Sequence, residues 1–108
     1  MTALQWDREF ALEQAGDDEE MLAELLGLLR SSSADDLAEI KAAMAAGDAM
    51  GMGNAAHSIK GAAASLGIEQ LATLAEAMEM AGRAGDFEGA SMLVAPLSTM
   101  VAELANFK

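Results

Sequence analysis

Hydrophobic residues recur at intervals of three and four along most of the chain, which is the spacing expected on one face of an α-helix. Segments with this spacing cover positions 22–29, 37–44, 55–66, 71–78 and 90–104. Alanine, leucine, methionine and glutamate dominate them, and the β-branched residues that favour strands are scarce. We therefore predict an all-α fold, an up-and-down four-helix bundle with a short additional N-terminal helix.

Glycine and aspartate mark the ends of the predicted helices. Glycine is common just after a helix ends, and an aspartate side chain often caps the first turn of the next helix. Such signals occur at positions 16–18, 47–48, 67 and 82–86. Asp7 is predicted to cap the N-terminal helix, with Phe10 and Ala11 facing inward.

Two positions leave the helix boundaries open. The run from Ser31 to Ser33 could end one helix and cap another, or it could be the exposed middle of one long helix. Pro96 lies inside the last hydrophobic stripe, where it would either kink the helix or divide it in two. The sequence favours neither alternative at either position.

Length and cysteine content narrow the class of protein. A chain of 108 residues forms one domain, here residues 1–108, with a core too small to enclose a large active-site cavity. The sequence contains no cysteine, which excludes disulfides, thiol redox chemistry and thiolate metal sites. An enzyme that encloses a small-molecule substrate is therefore not expected.

The charge balance bears on the partners. The 18 acidic residues outnumber the 6 basic ones and give a formal net charge of −12. Nucleic acids and anionic membranes would be repelled, so we expect no nucleic-acid partner and no membrane partner. The N-terminal residues lack the pattern of a secretory signal, and no segment reaches the ~18 apolar residues of a membrane span. A cytoplasmic protein is predicted.

The single histidine, His57, lies on the polar face of its predicted helix. Advancing 100° per residue places Ala56, Ile59 and their neighbours on one side of the helix. The other side carries His57 together with Lys60, Gly61 and Ala64. A glycine in mid-helix costs ~1 kcal/mol relative to alanine. Gly61 therefore suggests that a partner approaches closely beside the imidazole ring.

The sequence AHSIKGAAASLG, residues 56–67, resembles the signature of histidine phosphotransfer (HPt) domains. Its histidine, lysine and glycine have the relative positions i, i+3 and i+4, and a leucine–glycine pair follows. The resemblance extends over nearly the whole chain. Residues 7–18 are similar to the family's N-terminal segment, residues 47–48 to the turn before the motif, and residues 79–86 to its glutamate-to-glycine-aspartate segment.

The resemblance implies a helical bundle that carries a phosphoryl group on histidine. By this resemblance His57 is the phosphorylated nucleophile, and Lys60 is the cation that stabilises the phosphoryl oxygens. Gly61 leaves the gap that admits a receiver domain, and Ala64 lies on the same partner-binding surface. Glu79 occupies the position of a polar residue that hydrogen-bonds the second ring nitrogen. Such a bond would fix the tautomer and leave the other nitrogen free to attack.

The same resemblance implies the partners and the role. The partners are response-regulator receiver domains and a sensor histidine kinase, which can be a hybrid kinase. The receiver would bring the magnesium ion, and this chain would have no metal or cofactor of its own. It would act as a phosphorelay intermediate and not as an enzyme with turnover on a small molecule. No long apolar heptad pattern demands a dimer, so a monomer is expected.

Several alternatives stay open on the sequence. An adaptor could dock receiver or kinase domains without being phosphorylated, although it would have no reason to keep the histidine, lysine and glycine together. A metal site at His57 would need more ligands than Glu79 and scattered carboxylates offer. Gly51 and Gly53 make either a weak helix start or a mobile approach to His57.

The nine methionines also have two interpretations. Met44 and Met78 fall on core stripes, where methionine fills gaps in a core poor in aromatic residues. Met50, Met52 and Met80 belong either to the core or to an apolar rim near His57 that would contact a partner.

Overall fold

The computed structural model describes residues 4–108, which form five α-helices and one short 3₁₀ helix. The elements are α1 (Arg8–Gln14), α2 (Glu19–Ala46), α3 (Ala49–Ser65), α4 (Glu69–Ala84), α5 (Phe87–Glu103) and the 3₁₀ helix (Leu104–Asn106). This part of the chain contains no β-strand, so the all-α prediction is confirmed. No helix between residues 4 and 108 combines the length and the apolar character needed to cross a membrane.

The helices begin and end at the predicted signals. Asp7, Asp18, Asp48 and Asp86 precede α1, α2, α3 and α5, and each carboxylate accepts a hydrogen bond from a backbone N–H of the first turn. After α2 and α4, Gly47 and Gly85 adopt left-handed backbone conformations that suit glycine best. Short-range capping therefore sets the loop positions.

The four long helices form a closed ring. In chain order each long helix packs against the next, and α5 packs back against α2. The short helix α1 contacts α2, and the residue before it, Asp7, donates its backbone N–H to the carbonyl of Gly67 in the turn between α3 and α4. The bundle with a short extra N-terminal helix is thus the observed arrangement.

The structure decides both open helix boundaries. The helix α2 runs without interruption through Ser31, Ser32 and Ser33, and it is 28 residues long. Pro96 lies inside α5, which continues on both sides of it, so the last helix is not divided. The prediction for Phe10 was wrong, because only Ala11 of that pair is buried and Phe10 lies at the surface.

The core consists of leucine, isoleucine, methionine and alanine side chains from all the elements. Its largest fully buried hydrophobic side chains are Leu22, Leu26, Ile40, Met52, Ile59, Ile68, Leu71, Met78, Leu97 and Leu104. In the core α3 and α4 come into backbone contact. A Cβ built on Gly82 of α4 would lie 2.7 Å from the backbone N of Gly53 in α3. Only glycine permits this approach.

The segment before α1 packs against the C-terminal residues next to α2. The rings of Trp6 and Phe107 stack with their centroids 4.8 Å apart, and Trp6 donates its indole N–H to the carbonyl of Leu66. Arg30 of α2 donates to the carbonyls of Leu104 and Phe107. These contacts tie Trp6 and the C-terminal residues to the bundle.

Candidate functional site

His57 lies in the middle of α3 with its ring directed to solvent. Its side chain is 62% exposed, whereas Ala56 and Ile59 on the opposite face are fully buried. The helical periodicity therefore predicted the orientation of His57 correctly. The exposed ring is accessible to a partner in this conformation of the bundle.

Glu79 reaches His57 from the neighbouring helix. Its Oε2 atom lies 3.0 Å from Nδ1 of His57, and its side chain is only 13% exposed. The close contact between Gly53 and Gly82 explains this proximity, because these glycines lie one turn from His57 and Glu79 respectively. The structure thus brings together two residues that the sequence paired only by resemblance.

Lys60 completes this group from the next turn of α3. Its Nζ atom lies 2.6 Å from Oε1 of Glu79, so the carboxylate bridges Lys60 and His57. The hydrogen bond from Lys60 holds the pKa of the Glu79 carboxyl below its ordinary value, although partial burial opposes the shift. His57 lowers this pKa further. Glu79 is therefore an ionised acceptor at neutral pH.

The ionised carboxylate determines which ring nitrogen is free. A carboxylate can only accept, so Nδ1 of a neutral His57 carries the hydrogen and donates it to Glu79. The lone pair then lies on Nε2. The arrangement thus leaves a ring nitrogen with a free lone pair on an exposed side chain, with a lysine one turn away.

The site includes two further polar residues, Arg83 and Asn54, which the sequence analysis did not identify. Arg83 lies one turn after Glu79 in α4, and its Nη2 atom is 3.3 Å from Oε2 of Glu79. Its Nη1 donates to Oδ1 of Asn54 in α3 at 3.0 Å. The spacing of four between Glu79 and Arg83 is a signal for this ion pair, but the link to Asn54 requires the tertiary structure.

The surface around His57 on α3 is open. Met50 and Ala64 lie seven residues before and after His57, which returns nearly to the same helix face, and both are exposed. A Cβ built on Gly61 would meet no atom within 4 Å, so the gap there is real. The role of Gly61 and Ala64 in partner binding stays a prediction.

The methionines divide between the core and the surface. Met52 and Met78 are fully buried, and Met44 is partly buried against the core. Met50 and Met80 are strongly exposed. Met52 therefore cannot be part of a rim, whereas Met50 and Met80 are accessible to a partner.

The glycines at the start of α3 have distinct surroundings. Gly51 donates its backbone N–H to the capping carboxylate of Asp48. Gly53 is buried against Gly82 and beneath the guanidinium of Arg83. Both residues lie within the regular helix α3. Close packing against Gly82 and Arg83 explains why residue 53 is a glycine, which a weak helix start would not explain.

Comparison with known proteins agrees with this geometry. A family model, the Hpt domain, matches residues 24–107, which is most of the chain. The chain belongs to the Hpt domain family. The resemblance seen in the sequence is confirmed, and so is the phosphorelay function that it implies. No curated protein sequence matches the chain.

A solved structure shares the fold of this Hpt protein. It is the crystal structure of histidine-containing phosphotransfer protein B from Pseudomonas aeruginosa PAO1. The TM-score is 0.84 at 24% sequence identity, and the match covers 99% of this chain and 100% of that one. At this identity the match shows the fold, while the family match carries the phosphorelay function.

Proposed function

We propose that this Hpt protein carries the phosphoryl group on Nε2 of His57 and exchanges it with receiver-domain aspartates. The observation that carries the proposal is the 3.0 Å contact between Nδ1 of His57 and Oε2 of Glu79. It holds the ring in one orientation and leaves Nε2 as the nucleophile. The exposed ring and the gap at Gly61 give a partner access to it.

In the proposed step the lone pair on Nε2 of His57 attacks the phosphorus of an aspartyl phosphate. The bond from Nε2 to phosphorus forms as the bond from phosphorus to the aspartate oxygen breaks, and the aspartate leaves as a carboxylate. The positive charge that develops on the ring is stabilised by Glu79 through Nδ1–H. Lys60 is assigned to the transferring phosphoryl oxygens.

Transfer is reversible, because the same geometry serves attack by a second aspartate on phospho-His57. Rate enhancement then comes from orientation and charge stabilisation, with no group consumed in the protein. This supports a relay intermediate without turnover of its own on a small molecule. Ala64 and Gly61 are assigned to the surface that contacts the receiver, and both are exposed.

The proposal leaves magnesium on the receiver domain. Between residues 4 and 108, no group of three or more histidine, aspartate or glutamate side chains is arranged to hold a metal ion. In this proposal the ion that phosphoryl transfer commonly uses is brought by the receiver domain. The partners are receiver domains and a sensor histidine kinase, and the protein acts as a cytoplasmic monomer.

The test is transfer from a phosphorylated receiver domain to the wild type and to His57→Gln, read by intact mass. Because His57 is the only histidine, the variant has none left to phosphorylate. We expect an acid-labile, base-stable label on the wild type and no label on the variant. Circular dichroism controls for folding, which the exposed position of His57 should leave unchanged. Equal labelling of His57→Gln would overturn the proposal.

The same experiment separates the relay from an adaptor. If a broad panel of receivers binds the wild type but none transfers to it, the protein is a docking adaptor. Transfer that disappears with His57 excludes this alternative.

A further inference from the structure

Arg83 connects the two helices that build the site. Its guanidinium reaches Oε2 of Glu79 at 3.3 Å on its own helix and Oδ1 of Asn54 at 3.0 Å on α3. A Cβ on Gly53 would lie 3.3 Å from Nη1 of Arg83, so the guanidinium lies directly over that glycine. The contacts with Glu79, Asn54 and Gly53 hold the Arg83 side chain in place, although half of it is exposed.

Glu79 is consequently shared among three nitrogen groups. Oε1 accepts from Lys60 at 2.6 Å, while Oε2 faces both His57 and Arg83. When the His57 ring is neutral, the single negative charge of Glu79 faces two positive charges, those of Lys60 and Arg83. This local excess of positive charge contrasts with the net charge of −12 on the whole protein. Two of the six basic residues of the chain thus lie on this one carboxylate.

The arrangement matters when a phosphoryl group arrives on Nε2. Lys60 must leave Glu79, wholly or partly, to reach phosphoryl oxygens. Without Arg83, the only positive charge left beside the mostly buried carboxylate would then be the one that develops on the ring, and the weakly compensated charge of Glu79 would oppose the incoming phosphoryl group. With Arg83 in place, Glu79 keeps one cation and its hydrogen bond to His57.

We propose that Arg83 is a positioning residue for phosphoryl transfer: it neutralises Glu79 and so frees Lys60 to stabilise the phosphoryl group. This inference rests on the proposed role of His57. It assigns Arg83 no contact with the phosphoryl group. It also makes a specific demand, because Arg83 is needed only when residue 79 carries a negative charge.

That demand is tested by a double-mutant cycle on the rate of transfer from a phosphorylated receiver domain. Arg83→Met keeps most of the length of the side chain and removes its charge, and we expect transfer to slow about 5- to 10-fold. Arg83→Lys restores a cation and should recover most of the rate. In the Glu79→Gln background, Arg83→Met should change the rate less than about twofold, because no carboxylate is left to neutralise.

A second variant tests the positioning role of Arg83 without changing Arg83 itself. Asn54→Ala removes the anchor on α3, and we expect transfer to slow about two- to threefold. Thermal unfolding of every variant shows whether any loss of rate follows loss of structure. A purely structural role of Arg83 would not be relieved by Glu79→Gln, so the rescue distinguishes the two roles.

The outcomes separate this inference from the proposed function. If the wild type accepts no phosphoryl group, both are overturned. If the wild type is labelled on His57 but Arg83→Met and Asn54→Ala transfer at the wild-type rate, only the role of Arg83 is overturned. The same holds if Arg83→Met slows transfer by the same factor in the wild-type background and in the Glu79→Gln background.

Discussion

Nδ1 of His57 lies 3.0 Å from Oε2 of Glu79, although 22 residues separate them in the sequence. The contact crosses from α3 to α4 where two glycines allow the helix backbones to touch. A shift of about 1 Å between these helices would break a hydrogen bond of this length. The orientation of the His57 ring therefore depends on how closely α3 and α4 pack.

Gly82→Ala should loosen this packing. A Cβ at this position would lie 2.8 Å from Cα of Gly53, so α3 and α4 must move apart. Overpacking costs about 1–3 kcal/mol, and because the clash here is with backbone atoms we expect the upper part of that range, which outweighs the ~1 kcal/mol that alanine gains in a helix. We expect lower stability in urea denaturation together with slower transfer to His57.

Gly27→Ala is the matched control for that change. Gly27 is an exposed residue of α2, and a Cβ built there would meet no atom within 4 Å, so only helix propensity changes. We expect a gain of about 1 kcal/mol. A gain of the same size for Gly82→Ala would mean that the helices are not in contact at Gly82.

Gly61 provides a test of the docking surface. Gly61→Gln fills the gap one turn from His57 and should reduce transfer at least about tenfold by obstructing the receiver, a change of ~1.4 kcal/mol. Gly61→Ala intrudes less and should transfer at close to the wild-type rate. Both variants should be more stable than the wild type, by up to about 1 kcal/mol, because glycine is a poor helix former. Wild-type transfer by Gly61→Gln would show that the receiver does not approach this position.

Lys60→Met should raise the pKa of the Glu79 carboxyl. The hydrogen bond from Lys60 is the main cause of the lowered pKa, and the burial that opposes it remains in the variant. Carbon-13 NMR titration of the Glu79 carboxyl would measure the shift, with Lys41→Met on α2 as the control for loss of one positive charge. An unchanged midpoint in Lys60→Met would contradict the ion pair.

The lowered pKa of Glu79 also determines how the stability of the fold changes with pH. A carboxyl that titrates lower in the folded state than in the unfolded state stabilises the fold above its unfolded pKa. That contribution is lost as the pH falls through the folded-state pKa of Glu79. Acid denaturation should therefore be less steep in Lys60→Met than in the Lys41→Met control.

Ser33→Ala should stabilise the protein. The hydroxyl of Ser33 is fully buried in the middle of α2 and has no hydrogen-bond partner among residues 4–108. Removing an unsatisfied buried hydroxyl and improving helix propensity should together gain about 1–2 kcal/mol. Ser31→Ala, at an exposed position of the same helix, should gain no more than about 0.5 kcal/mol. Equal stability of Ser33→Ala and the wild type in urea would show that the hydroxyl is satisfied.

Short-range interactions made much of the fold readable from the sequence. Asp48 and Asp86 cap helices where predicted, since a side chain that bonds the N–H groups of its own first turn depends on no distant residue. Helical periodicity likewise placed His57 on the exposed face of α3. The continuity of α2 through Ser33 was beyond the sequence, because it depends on which residues pack against that turn.

The sequence by itself determined the helical class of the fold, the capping signals, the net negative charge and the His57, Lys60 and Gly61 pattern of the family. Only the tertiary structure decided that Glu79 bridges His57 and Lys60, and that Arg83 is anchored to Asn54. The physical reason is the sequence distance over which each interaction acts. Capping and periodicity act within one or two turns of a helix, whereas a hydrogen bond between helices depends on the distance and rotation that the whole core imposes.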